Sequence, residues 1–277
     1  MKTSLGFILI LLSFKVFAQD LSLWEGGLGL LNFEAPHYRG SKQKKDYIWP
    51  LPYFIIRGDK IQAESSFIRS NFYRTDKYSF DLSTNAGLNV NSKDNQKRQN
   101  MPNINNSFEL GVLFRYFLWK DENKENMLNF EMPVRSVFVT NFKSIDHIGY
   151  FSIPYLNFLS RPQHWNGFWS MEFSVGPMYG SKKLHNYYYS IAPDFSNPDR
   201  PAYEARPGYS GTQIALVMSK RIKKLLIFPW IRYDNLKGAA FIDSPLIETN
   251  HYVMGGIGLV YFFAQSGSLQ RNDFQVK

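Results

Sequence analysis

Residues 77–90 read KYSFDLSTNAGLNV, and this stretch constrains the fold more than any other. Every even position from Tyr78 is apolar or small: Tyr78, Phe80, Leu82, Thr84, Ala86, Leu88 and Val90. Every odd position from Ser79 is polar or glycine: Ser79, Asp81, Ser83, Asn85, Gly87 and Asn89. Successive side chains of a strand point to opposite faces, so this is an extended segment with one apolar and one wet side. In a soluble sandwich the apolar side meets a core. In a membrane barrel it meets lipid, and the wet side lines the interior.

The pattern recurs. In 107–118, Phe108, Leu110, Val112, Phe114, Tyr116 and Leu118 share one face, and Ser107, Glu109, Gly111 and Arg115 the other. In 128–142, Leu128, Phe130, Met132, Val134, Phe138 and Phe142 oppose Asn129, Glu131, Arg135 and Asn141. Residues 170–179 and 211–219 alternate likewise, and 22–34, 47–57, 60–72, 147–159, 224–236 and 252–263 read as strands with less clean faces. No segment offers a convincing helical stripe. These crossings number eleven. A bacterial single-chain barrel needs an even number, so the expectation is ten or twelve strands, with 22–72 as the doubtful region. Pro50, Pro52, Pro133, Pro154, Pro177 and Pro229 fall inside strands, where they predict bulges or strand ends.

The connections differ in length. Gly58-Asp59 and 220–224 are tight, whereas 35–46, 91–106, 180–207 and 238–250 are long and polar. Tight turns on the inner side and long loops outside are the habit of outer-membrane barrels. The wet faces carry Asp81, Glu109, Arg115, Glu131, Arg135 and Glu172, which can pair inside a lumen or face bulk water on a sandwich. Aromatic residues gather at strand ends (Trp24, Trp49, Tyr73, Tyr116 with Trp119, Trp165 with Trp169, Tyr261 to Phe263), as in interfacial girdles.

The chain opens with MKTSLGFILILLSFKVFAQD. A basic Lys2, an apolar run from Leu5 to Phe14, and Val16 and Ala18 before Gln19 predict a secretory signal cleaved after Ala18, too short to span a bilayer as a helix. The 277 residues include no cysteine, which argues against a disulfide-stapled module and against thiolate chemistry. The formal charge is +9. An exported chain meets little nucleic acid, so its basic loops point to anionic lipid, lipopolysaccharide or cell-wall polymers, or simply to solubility. The reading is all-β: residues 1–18 a signal peptide, 19–263 an antiparallel transmembrane β-barrel of 10–12 strands in the outer membrane of a Gram-negative bacterium, and 264–277 a polar tail.

Further motifs lie in order along the chain: Gly27-Leu28-Gly29; Pro36, Tyr38, Gly40 and Ser41; and Pro50 with Pro52 in Trp49-Pro50-Leu51-Pro52-Tyr53. Later come Tyr187-Tyr188-Tyr189, then 201–208 (PAYEARPG), 233–240 (YDNLKGAA), Asp243-Ser244-Pro245-Leu246 and 256–263 (GIGLVYFF). Together, in this order and spacing, they resemble the MipA/OmpV family, over nearly all of the chain after the expected signal. The resemblance implies an outer-membrane barrel and, from the family's named member, a non-enzymatic scaffold that joins a lytic murein transglycosylase to a penicillin-binding protein. It implies no catalytic residue and no cofactor. A small pore or antigen barrel is the alternative. One departure is the tail: the family's terminal strand ends on an aromatic, whereas Phe263 is followed by AQSGSLQRNDFQVK.

Candidate chemistry is sparse. Of five histidines, His37, His147, His185 and His251 fall in or near outer loops, and His164 is the fifth. Asp243, Ser244 and His251 permit a Ser–His–Asp arrangement for a lipid- or peptide-cleaving barrel, but no spacing supports it and Asp243-Ser244-Pro245 reads better as a turn. No H-E-x-x-H, P-loop or G-x-S-x-G signature occurs. Arg39, Lys42, Lys44 and Lys45 form a first basic loop, and Lys93, Lys97 and Arg98 a second; each reads either as a polyanion contact or as a solvated loop. Tyr38-x-Gly40-Ser41 predicts a turn that uses glycine's freedom in φ. Tyr187 to Tyr189 reads as a sugar-stacking platform or an extended rim.

Overall fold

A computed structural model describes residues 21–57, 61–64, 67–123, 125–161, 169–267 and 269–270; the segment expected to be a signal with its cleavage site after Ala18, Gly58-Asp59, His164 and Trp165 lie outside them. The strands in chain order are β1 (Leu21–Ser22), β2 (Trp24–Pro36), β3 (Lys44–Arg57), β4 (Ile61–Glu64), β5 (Phe67–Arg74), β6 (Tyr78–Gly87), β7 (Asn106–Lys120), β8 (Asn126–Thr140), β9 (Ile145–Ser152), β10 (Tyr155–Ser160) and β11 (Ser170–Gly180). Helix α1 (Lys182–Tyr189) follows, then β12 (Gly208–Ile222), β13 (Leu225–Asn235), β14 (His251–Gln265) and β15 (Leu269–Gln270). Among the described residues no helix is long and apolar enough to cross a membrane, which says nothing about crossing by strands.

Sequence neighbours from β2 to β14 pair antiparallel, β9 with β10 excepted, and β14 returns to pair with β2, Leu259 opposite Leu30. The sheet is therefore closed. Both β9 and β10 lie between β8 and β11, so they form one stave interrupted at Ile153-Pro154. The closed wall then has twelve staves, an even number. The strand absent from the sequence reading is in 60–72, which is two short strands rather than one. A closed antiparallel wall leaves backbone groups paired, the condition for strands in lipid.

The faces are inverted relative to a soluble protein. On β6, Ser79, Asp81 and Ser83 are buried inside while Phe80 is exposed outside. On β7, Leu110, Val112, Tyr116 and Leu118 face out and Arg115 is buried. On β14, Val253, Ile257, Leu259, Tyr261 and Phe263 face out while Tyr252, Val260 and Phe262 are buried. Exposed apolar outside and buried polar inside is the organisation of a barrel solvated by lipid. The first and last described strands, β1 and β15, pair at one rim, called here the terminal rim. Trp24, Tyr73, Trp119, Trp169 and Phe263 are exposed at strand ends near this terminal rim, and Tyr150 and Tyr179 near the other. Trp49 does not join them: it shares the inward parity of the buried Tyr53 and Ile55.

The interior charges pair along neighbouring staves. Arg115 binds Asp81 (2.8 Å) and Glu131 (2.8 Å), and Arg135 binds Glu109 (2.7 Å). Glu172 accepts from Asn157 at 2.9 Å. Arg221 pairs with Glu25 and lies 4.5 Å over the Phe262 ring.

Pro133, Pro154, Pro177 and Pro229 coincide with breaks in pairing, because proline has no N–H to donate. Pro133 faces the Ile153-Pro154 interruption, lying between the residues of β8 that pair with β9 and those that pair with β10. Pro177 adjoins the β11–β12 bulge. Pro229 lies in a lapse of the β12–β13 ladder, between Val217↔Trp230 and Lys220↔Ile227. Pro50 and Pro52 mark neither a bulge nor a strand end: they sit inside the unbroken β2–β3 ladder, opposite Leu30 and Leu28.

Candidate functional site

The two rims differ in kind. At the terminal rim β12 and β13 are joined by Lys223-Lys224, and β5 and β6 by 75–77. At the distal rim, loops 37–43, 88–105, 181–207 and 236–250 fold together and build a hydrophobic core of their own, which includes Tyr38, Ile104, Tyr189, Leu236, Phe241 and Leu246. Phe241 stacks on Tyr189 with ring centroids 3.7 Å apart and planes at 9°. Tyr38 donates to the Leu246 carbonyl (2.8 Å) and Ser244 to the Tyr189 carbonyl (2.7 Å). Arg98 donates to the Tyr188 and Pro102 carbonyls, and Arg200 to those of Lys97, Gln99 and Phe195. These contacts make the loops a cap over the lumen rather than independent arms.

Helix α1 anchors the cap. Ser181 caps its first turn, accepting from the Leu184 N–H. Leu184, His185, Tyr188 and Tyr189 fall at spacings of one, four and five, so they share the inner face. The tyrosine run is thus helical and turned inward, not an extended rim or an open sugar platform. His185 lies where Gly180 has no side chain; a Cβ there would come within 2.3 Å of its Nε2. Nδ1 of His185 donates to the Arg206 carbonyl (2.5 Å), which leaves Nε2 to accept from the Ser210 hydroxyl at 2.7 Å. Burial pushes the imidazole pKa down, so it is held neutral. The pair resembles a hydrolytic dyad in geometry. Its third partner is a peptide carbonyl rather than a carboxylate, and both side chains are buried, which fits the tie between α1 and β12.

Beneath the cap lies a cavity of about 230 Å³, lined by residues of β2, β6, β13 and β14 below and of loops 37–43 and 181–207 above. Its electrostatics centre on one carboxylate and two guanidiniums. Arg232 donates to both oxygens of Asp234 (2.7 and 2.6 Å), and Tyr252 donates to the same carboxylate. Arg39 approaches Asp234 only to 3.7 Å. It rests 4.9 Å over the Phe151 ring and directs Nη1 at the Met178 sulfur. Glu109, also in the lining, is held by Arg135. His37, like His185, has its pKa lowered by burial, and burial pushes the Tyr38 and Tyr188 phenols up, Tyr188 to about 12. The chamber thus keeps one guanidinium in excess.

This arrangement redistributes the residues singled out in the sequence. Arg39 points into the chamber and leaves its basic loop-mates outside. Lys44 pairs with Glu34 (2.5 Å), Lys45 lies 5.6 Å over the Tyr47 ring, and the Lys42 backbone N–H binds Glu248. Arg98 is buried in the cap, apart from the exposed Lys93 and the half-buried Lys97. Pro36 ends β2, and Gly40 has φ +93°, as the turn required. Ser41 accepts from the Asn95 amide at 3.2 Å. Asp243-Ser244-Pro245 is a turn whose serine is spent on the cap, and His251 is exposed and bound to Asn250. Sequence reasoning missed Arg232, Asp234, Tyr252 and Ser210, whose strand lacks a clean period at that end.

The family model of the MltA-interacting protein MipA matches residues 28–263. No curated protein sequence matches. An active-site mutant of outer membrane phospholipase A from Escherichia coli shares 13% identity at a TM-score of 0.34, over 90% of this chain and 94% of that one. A mutant of the monoaromatic hydrocarbon channel TodX shares 8% identity at 0.25, over 88% and 68%. At these scores neither likeness bears on function.

Proposed function

Since the chain belongs to the family of the MltA-interacting protein MipA, we propose that this outer-membrane barrel is a non-catalytic scaffold. On this reading it holds a murein transglycosylase of the MltA kind at the inner face of the membrane, and through it a penicillin-binding protein. The observation that carries the reading is that, among the described residues, packed side chains and folded loops occupy the barrel interior. Paired charges fill its middle, a cluster of Tyr53, Ile55, Leu226, Val260 and Phe262 fills the terminal end, and the folded loops close the distal end. What remains for a partner in the periplasm is the terminal rim, with the short turns and the paired β1 and β15. On the same reading Lys42, Lys44 and Lys45 contact phosphates of lipopolysaccharide, supported by their exposure at the opposite rim.

The test is co-purification. Tagged full-length protein drawn from detergent-solubilised envelope is expected to retain a murein transglycosylase through washing at physiological salt. An eluate that repeatedly holds the barrel and no murein enzyme would remove the scaffold role.

A further inference from the structure

The segments of the cap are joined at two seams by histidines, and both seams use the imidazole as an acceptor. An imidazolium ion has two N–H donors and no acceptor. A histidine whose ring nitrogen accepts a hydrogen bond therefore loses that bond when it takes a proton.

At the first seam His185 of α1 meets the start of β12. Its Nδ1–H goes to the Arg206 carbonyl (2.5 Å), so Nε2 accepts from the Ser210 hydroxyl (2.7 Å). A proton on Nε2 forces that hydroxyl to turn, and its hydrogen is left with the Gly208 carbonyl at a long 3.4 Å. His185 is 2% exposed, so the added charge gains no hydration. The groups around the ring do not offset it. Gly180 of β11, Ser210 of β12 and Phe241 of loop 236–250 are uncharged, and the Tyr189 ring of its own helix lies 6.2 Å away. The charge acting on it from loop 37–43 is the Arg39 guanidinium, which has the same sign. The carboxylates of the chamber are engaged elsewhere, Asp234 by Arg232 and Arg39, and Glu109 by Arg135. At the surface of α1, Lys182 pairs with Glu204.

At the second seam His37 meets Asn95 of loop 88–105. Asn95 is fully buried and its amide is fixed at both ends. Its Oδ1 accepts from the Arg98 N–H (3.2 Å), and its Nδ2 donates to Ser41 (3.2 Å) and to Nδ1 of His37 (3.1 Å). A proton on Nδ1 sets donor against donor, and the amide cannot turn over without giving up Arg98. The charges facing His37 are mixed: Asp94 of loop 88–105 and Glu248 of loop 236–250 favour the imidazolium, and Lys45 of β3 opposes it. At both histidines burial prevails and holds the pKa below its ordinary value.

We propose that the cap is a proton-operated latch, closed while His37 and His185 are neutral and released from the chamber when the medium on the cap side acidifies and the rings take protons. The sign follows from linkage. In the released state the rings regain water and their ordinary proton affinity, so that state binds more protons than the closed one. The closed state is fully favoured above about pH 6.5 and loses ground as pH falls below it, by up to about tenfold per pH unit for each histidine. The other described histidines take no part: His147 packs between Phe138 and Tyr150 on β9, and His251 is exposed. The latch is at the other rim from the proposed scaffold surface, so neither test decides the other.

Hydrogen exchange of the full-length protein in lipid nanodiscs, corrected for the intrinsic pH dependence of exchange, reads the latch between pH 7.5 and 4. Protection in 37–43, 88–105 and 181–207 is expected to fall about tenfold or more between pH 7.5 and 5.0, beginning below about 6.5, while the β7 and β8 ladders keep theirs. The double variant His37→Gln, His185→Gln is expected to lose this fall, whatever protection it starts from. Cap protection that stays level from pH 7.5 to 5.0 would overturn the proposal. So would a fall that the double variant keeps, or one that begins only below about pH 4.5 and so marks carboxylates such as Glu248. The onset in the wild-type protein decides this even if the double variant fails to fold.

Discussion

Arg115→Ala is expected to destabilise the barrel by about 3–5 kcal/mol, because it strands two buried carboxylates at once. Arg115 lies opposite Glu131 in the β7–β8 register and reaches across β6 to Asp81. Asp81 and Glu131 are 1% and 2% exposed, so neither can recover its hydration when the cation goes. The Tyr155 hydroxyl (2.8 Å) and Asn157 amide (3.1 Å) also donate to Glu131, but neither neutralises it. Unfolding in denaturant from lipid bilayers measures the loss. The cause is separable from the size of the removed side chain. The triple variant Asp81→Asn, Arg115→Met, Glu131→Gln removes all three charges and is expected to recover most of the stability, since an apolar or neutral replacement of a buried ion cluster is close to neutral. If Arg115→Ala costs under about 1 kcal/mol, the cluster is hydrated and the interior is not the sealed medium described above.

Phe241→Ala is expected to release the cap. The ring stacks on Tyr189 and meets His185 edge-on with centroids 4.9 Å apart, so it joins loop 236–250 to helix α1. Truncating a fully buried phenylalanine typically costs about 3–5 kcal/mol. Here that loss falls on loops whose mutual packing is the cap's own core, while the barrel wall below keeps its ladder. The expected result is rapid proteolysis within 181–207 and 236–250, with the barrel fragment intact. Planar-bilayer recordings are expected to be silent for the wild-type protein and to show intermittent conductance for the variant. Loops that remain protected and silent would mean that the cap's stability rests on the arginine–carbonyl contacts of Arg98 and Arg200.

The wall was largely legible in the sequence and the cap was not. Period-two alternation placed Ser79, Asp81 and Ser83 inside and Phe80 outside, because a strand's faces depend only on parity. The count failed at 60–72, where two strands are too short to show a period each. Pro133, Pro154, Pro177 and Pro229 do fall at disturbances, whereas Pro50 and Pro52 sit in an unbroken ladder; what each disturbs depends on its cross-strand neighbour, and Pro133 makes sense only opposite the break at Ile153-Pro154. Helix α1 escaped notice because two turns carry little periodicity, and because tyrosine suits strands as well. Arg39 was grouped with Lys42, Lys44 and Lys45 by sequence proximity. The turn at Gly40 separates them, sending the guanidinium inward and the lysines to the rim. The chamber itself could not be read, since Arg39, Arg232 and Asp234 come from segments far apart in the chain.

All of this depends on a closed wall whose apolar face meets lipid. The most direct measurement is electrophoresis in dodecyl sulfate of the protein refolded in detergent, with and without boiling. A closed twelve-stave barrel resists the detergent when cold, so the unboiled protein should run as a compact band clearly separated from the boiled one. Identical migration of the two samples, together with a compact, freely soluble species in detergent-free buffer, would contradict the account.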